Sequence, residues 1–143
     1  MALRDYPQVR GRTVVLDLGD ADAVEHTLAS LDAQLDAAMT AAQGAGKNTR
    51  HLALFAANAP VALCLARHLK QRHGDAWFAR VALLSIDDPE WAEFAGITAI
   101  RQPTYDIGYR AVEFLHERID GANPAARDCL LPGELIERAS TAR

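Results

Sequence analysis

Asn58 and the pair Asp87–Asp88 are the side chains whose type and placement point most directly to chemistry, because each closes a continuous apolar run. One run is Ala53-Leu-Phe-Ala-Ala, leading to Asn58; the other is Val81-Ala-Leu-Leu-Ser-Ile, leading to Asp87. Apolar runs of this length, stopped by turn-forming residues, suit strands buried on both faces of a parallel sheet. Open α/β sheets bind ligands outside the carboxyl ends of their strands. An amide and a carboxylate therefore stand where such folds place binding groups. For the acidic pair, two uses compete. Asp87–Asp88 could hold a hard cation or act as a phospho-acceptor, but only Glu90 is near enough in sequence to add an oxygen ligand. One carboxylate could instead cap the short helical turn that follows. Trp91 lies beside them and either packs on the apolar face of a sugar-like ligand or covers the end of the sheet.

The other chemical patterns dissolve on inspection. Gly44-Ala-Gly-Lys47 has Ala41 and Asn48 where a phosphate loop needs Gly and Ser or Thr, so it reads as a helix stop. The histidines at 26, 51, 68, 73 and 116 form no paired metal-ligand motif, and Ser30, Ser85 and Ser140 sit in no nucleophile elbow. Cys64 and Cys129 are far apart in apolar contexts and read as small core residues, not as a disulfide or zinc site. No catalytic residue, metal or cofactor is expected.

Elements that would position Asn58 and Asp87 follow from periodicity. The run Thr13–Leu18 predicts a strand, and Val24, Leu28, Leu31, Leu35 and Met39 predict a helix capped by Asp20 or Asp22 and stopped at Gly44–Gly46. A strand over 51–56 and a helix over 61–69, with Pro60 in its first turn, come next. Strands are then expected over 80–86 and 97–100, with a helical turn over 89–94 between them. Ile107, Ala111, Leu115 and Ile119 predict an amphipathic helix that starts near Thr104 or Asp106 and ends at Gly121. The last strand falls on Asp128–Leu131, and 134–143 reads as a polar tail. The alternation implies an α/β three-layer sandwich around a mostly parallel sheet.

At 143 residues the chain can build one domain with a real core. Its formal net charge of −4 argues against a surface that grips nucleic acid unaided. No apolar run approaches the roughly 20 residues of a membrane-spanning helix, and the N-terminal residues lack the apolar core of a signal peptide. The expected compartment is cytoplasmic.

Four segments, in order, carry a family resemblance: Ala53-Leu-Phe-Ala-Ala-Asn-Ala-Pro-Val-Ala-Leu, Val81-Ala-Leu-Leu-Ser-Ile-Asp-Asp-Pro-Glu-Trp, Ile97-Thr-Ala-Ile-Arg-Gln-Pro-Thr-Tyr-Asp-Ile-Gly-Tyr-Arg-Ala and Leu131-Pro-Gly-Glu-Leu-Ile-Glu-Arg-Ala-Ser. Together they resemble the effector-binding domain of LacI/GalR-family transcriptional regulators, whose fold is that of class I periplasmic sugar-binding proteins. Ala59, Cys64 and Ser85-Ile86 depart from the family's usual Asp, Gly and Gly-aromatic. The resemblance implies that Asn58 and Asp87 bond effector hydroxyls, that Gln102 lines the cleft or its hinge, and that Trp91 lies at the rim. The wording Glu90-Trp-Ala with Gln102-Pro-Thr-Tyr-Asp-Ile-Gly, and the ending Leu131-Pro-Gly-Glu-Leu-Ile, is most similar to the branch that senses sugar acids such as 2-ketogluconate.

Family members begin with a helix-turn-helix and a first effector subdomain. Residues 1–143 match neither, so the chain reads as the C-terminal subdomain of the effector domain. The resemblance then implies a sugar or sugar-acid effector, a homodimer in the intact protein, operator DNA bound only through the missing N-terminal domain, and no membrane partner. Three alternatives stay open: a fragment of a periplasmic-type sugar-binding protein, a small α/β enzyme using Asp87 and Asp88, and a dimerisation-only remnant.

Overall fold

The computed structural model describes residues 11–41, 52–121 and 125–142, and the chain divides into two compact units, 1–43 and 44–143. In the first unit, α1 (Ala21–Ala41) occupies the predicted helix. Asp20 caps it: its Oδ1 accepts from the backbone N–H groups of Asp22 and Ala23 at 3.0 and 3.1 Å. The predicted strand at Thr13–Leu18 does not form. A strand needs a ladder partner; this segment pairs with none among the described residues, and Val14, Val15 and Leu18 stay exposed. The expected stop at Gly44–Gly46 and the first residue of the expected 51–56 strand lie outside the described residues.

The second unit holds the sheet. Its strands β1 (Leu52–Ala56), β2 (Val81–Ile86), β3 (Thr98–Arg101) and β4 (Glu134–Ile136) lie side by side in chain order. The first three are parallel, and β4 runs antiparallel to β3. The expected mostly parallel α/β arrangement is thus present. Helix α2 (Ala59–His73) connects β1 to β2 and buries Ala62, Ala66 and Leu69. A 3-10 turn over Asp75–Ala79, which periodicity did not anticipate, buries Trp77 before β2 starts. Helix α3 (Glu90–Phe94) links β2 to β3, and α4 (Thr104–Ile119) follows β3. Val81 and Leu83 on β2, Ala92 on α3, and Ile97 and Ala99 around β3 form the core. Only β2 and β3 approach the double-faced burial inferred for the apolar runs. As an edge strand, β1 leaves Phe55 exposed.

The C-terminal part of the chain corrects the sequence reading twice. Asp128–Leu131 is not a strand, and the supposed polar tail contains β4 and the most deeply tied residues of the unit. Ser140 is fully buried. Its hydroxyl donates to the Leu83 carbonyl at 2.6 Å and accepts from the Thr98 N–H at 2.7 Å, while its own N–H bonds the Gly96 carbonyl at 2.9 Å. These bonds satisfy backbone groups of Leu83, just before the β2–β3 ladder begins, and of Thr98, just outside the β3–β4 ladder. Gly133 helps the tail turn inward: a Cβ there would lie 3.0 Å from the Ile100 side chain and 3.2 Å from the Arg101 carbonyl, so glycine lets the chain approach the edge of β3 closely just before β4.

Candidate functional site

The carboxyl ends of β1, β2 and β3 point the same way, and each hands over to a polar residue. Asn58 lies two residues beyond the Ala56–Ser85 pair on β1, as Asp87 does on β2, so register sets the two at one level. Gln102 immediately follows β3. The Asp87 N–H bonds the Ile100 carbonyl at 3.1 Å, which extends the ladder to the residue where the chain turns.

Asp87 turns there with φ +71°, the sole positive φ among described non-glycine residues. Left-handed backbone is uncommon for side chains other than Asn and Asp, and it concentrates at binding sites. The turn aims the carboxylate at Gln102, whose Nε2 donates to Asp87 Oδ1 at 2.5 Å. Gln102 is exposed and keeps its own carbonyl oxygen as an acceptor. Two of the residues named from sequence are therefore in direct contact.

Asn58 has a structural task as well. Its backbone is extended, and its Oδ1 accepts from the Val61 N–H at 3.0 Å, capping α2. The side-chain amide is exposed, and capping leaves its NH₂ donors uncommitted. Ala59, where the family has Asp, starts the helix without a further carboxylate. Trp91 is half-buried on α3, just beyond the Asp87 turn. Nothing in the geometry brings it into bonded contact with the other three.

Asp88 separates from Asp87 completely. Its side chain is only 3% exposed, and both oxygens are engaged by guanidinium groups: Arg138 Nη1 at 2.6 Å on Oδ1, and Arg101 Nη2 at 2.7 Å on Oδ2. Arg138 also donates to the Ile97 carbonyl at 2.8 Å. The hydrogen bond from Arg138 holds the Asp88 carboxyl below the ordinary carboxylate range; burial opposes this, and Arg101 reinforces it. The capping role considered for one of the two aspartates is not found, since α3 starts at Pro89 with no side-chain cap. A carboxylate so buried and held by two guanidinium groups is poorly placed to take a cation or a substrate. No group of three metal-ligating side chains occurs among the described residues.

Sequence reasoning missed Arg101, Arg138 and Ser140. A signal was present, because Arg138 and Ser140 belong to the matched C-terminal segment and Arg101 to the one before it. A shallow depression of about 440 Å³, lined by Tyr105, Asp106, Tyr109, Arg110 and Leu131, includes none of the strand-end residues. Those form an open ledge.

This layout of polar residues on parallel strand ends agrees with the comparisons to known proteins. A family described as "Periplasmic binding protein-like domain" matches residues 14–141, nearly the whole chain. The chain belongs to this family. Within the periplasmic binding protein-like family it is 41% identical over 91 residues to the HTH-type transcriptional regulator PtxS of Pseudomonas aeruginosa, covering 62% of this chain and 26% of that protein. To PtxS of Pseudomonas plecoglossicida it is 40% identical over 115 residues, covering 79% and 32% respectively. The structure is similar to that of a probable transcription regulator from Thermus thermophilus, with TM-score 0.54 and 30% identity over 78% of this chain and 42% of that one. The resemblance to LacI-type effector-binding domains stands with these findings. The chain spans about a quarter to a third of the length of the curated relatives it matches.

Proposed function

We propose that the chain supplies one wall of the effector cleft of a LacI/GalR-type transcriptional regulator, and that Asn58, Asp87 and Gln102 read the hydroxyl groups of a sugar or sugar acid, with Trp91 at the rim. The observation that carries this reading is the Asp87–Gln102 contact at 2.5 Å, held on a left-handed turn at the ends of adjacent parallel strands. Such a pair offers a charged acceptor and an amide in fixed relative orientation, which suits the paired donors and acceptors of a polyol. The similarity to PtxS regulators and the sugar-acid wording of residues 90–92, 102–108 and 131–136 favour a sugar acid such as 2-ketogluconate.

In the intact regulator, a helix-turn-helix and a first subdomain would complete a cytoplasmic, homodimeric protein. Effector binding would shift it between DNA-binding states, which requires different affinities in the two. The chain has no catalytic role in this reading: with Asp88 bound to Arg138 and Arg101, the two-aspartate enzyme loses half its site. No described helix is long and apolar enough to cross a membrane.

Half a cleft binds weakly. Titrating the chain with 2-ketogluconate while recording amide NMR shifts should give a millimolar-range response centred on Asn58, Asp87 and Gln102. Asp87→Asn tolerates the same backbone but removes the charge, and should weaken the response by about tenfold. Shifts clustered elsewhere, or binding indifferent to Asp87→Asn, would refute the assignment. A gel-shift assay with the chain should show no operator retention.

A further inference from the structure

Two adjacent pairs of polar residues bond across the ends of β2 and β3, and they bond in exchanged order. The register pairs Ser85 with Ala99 and Ile86 with Ile100. Continued along both strands, it would set Asp87 beside Arg101 and Asp88 beside Gln102, since ladder partners share a face. The observed bonds run the other way. Gln102 Nε2 donates to Asp87 Oδ1 at 2.5 Å, while Arg101 donates to Asp88 Oδ2 from Nε at 3.1 Å and from Nη2 at 2.7 Å. The left-handed backbone of Asp87, at φ +71°, turns the chain out of the ladder and makes the exchange.

That conformation costs an L-residue more than the extended one it displaces, so a neighbouring contact has to hold it. Asp88 makes that contact. Its carboxylate is buried with both oxygens gripped, so a return of Asp87 to extended backbone would draw Asp88 off its guanidinium partners. The two partners are rooted in different places. Arg138 arrives from the C-terminal segment and ties Asp88 to the Ile97 carbonyl, just before β3. Arg101 is the last residue of β3, with Gln102 next to it. Glu134 on β4, 3.4 Å from Nη1, steadies the Arg101 guanidinium.

We propose that Arg101 is the positioning residue of the strand-end ledge: by holding Asp88, it keeps Asp87 turned onto Gln102 in the orientation that meets the effector. The role rests on the effector reading above, and Arg101 acts through Asp88 rather than on the effector. Its chemistry suits the task. Two donors of one planar fork converge on a single carboxylate oxygen, which fixes direction as well as distance. Arg101 is half exposed, and Arg138 stays paired with Asp88 when the Arg101 guanidinium is removed, so the fold does not hang on it.

NMR of the Arg101→Met chain, without and with 2-ketogluconate, tests this. Methionine keeps an apolar stem and removes the guanidinium. In the natural chain one Gln102 side-chain N–H, bonded to a carboxylate, should resonate downfield and exchange slowly with water. In Arg101→Met both Gln102 side-chain protons should return to the values of an exposed amide. The effector response at Asp87 and Gln102 should fall at least about fivefold, the loss of one hydrogen bond, while the urea midpoint moves little. Arg101→Lys, which restores a cation facing Asp88, should recover part of both signals. The proposal fails if the Gln102 amide keeps its signature in Arg101→Met, or if the effector response stays at full strength once that signature is lost. An Arg101→Met chain that unfolds would make Arg101 a strut and equally refute the assignment. A natural chain with the Gln102 signature but no effector response would instead sink the effector reading, and the ligand-free signals would still decide whether Arg101 holds Asp87 in place.

Discussion

The segment from Glu134 to Thr141 and helix α4 invert what their sequences suggest. The first is short and mostly polar, and looks like a tail; the second is long and strongly amphipathic, and looks like core. Yet Ser140 is fully buried and Arg138 is 15% exposed, whereas α4 buries no residue at all. The difference lies in what each segment offers to its neighbours. The start of β2 and β3 leaves backbone groups and one buried carboxylate in need of partners, and the 134–141 segment supplies a hydroxyl, a guanidinium and a glycine small enough to let it pass. A buried unpaired polar group is costly, so such demand is specific. Apolar surface makes a less specific demand, and the apolar side chains of α4 stay exposed among the described residues.

Stability measurements can break that contrast. The widest gap should come from Arg138→Ala, which removes the main partner of a carboxylate that is 3% exposed; a loss of about 3 kcal/mol is expected by urea denaturation. A loss of under about 1 kcal/mol would show that Arg101 alone suffices and that the segment is not a strut. The same pair can be approached through pH. Because the folded-state Asp88 carboxyl lies below its ordinary value of 3.8, its contribution is fully present above the unfolded value and is lost as pH falls through the folded one. The stability difference between the natural chain and Asp88→Asn should therefore hold from neutral pH down to about 4 and shrink below it. A difference that persists undiminished in acid would refute the ion pair.

Ser140→Ala should cost about 2 kcal/mol, since the Leu83 carbonyl and the Thr98 N–H lose their partner together. Asn58→Ala should cost about 1 kcal/mol through the lost cap on α2 and should abolish the effector response at the β1 end. At the bottom of the series, Leu115→Ala on α4 should change monomer stability by less than about 0.5 kcal/mol. A large loss there would mean that α4 is packed after all, and the contrast would collapse.

Much of the ledge was legible before the fold was known. Asn58 and Asp87 announce themselves as the first polar residues after apolar runs, and Pro60 and Gly96 punctuate the helices on either side. Gln102 was reached through the resemblance alone, and its contact with Asp87 was not legible, because 15 residues separate them and only the β2–β3 register closes the gap. The two failed strands share one cause. Thr13–Leu18 and Asp128–Leu131 have strand-like composition, but a strand exists only by pairing, and neither finds a partner in the described residues.

The sequence by itself determined much of the local order: the four helices, the three apolar strands, and the family to which the chain belongs. Those properties depend on near neighbours or on ordered motifs. The tertiary structure alone decided that Asp87 faces Gln102 while Asp88 turns inward to Arg138 50 residues away, that Ser140 is core, and that α4 is surface. Adjacent aspartates look alike in sequence; what separates them is which charges and backbone groups the fold brings to each.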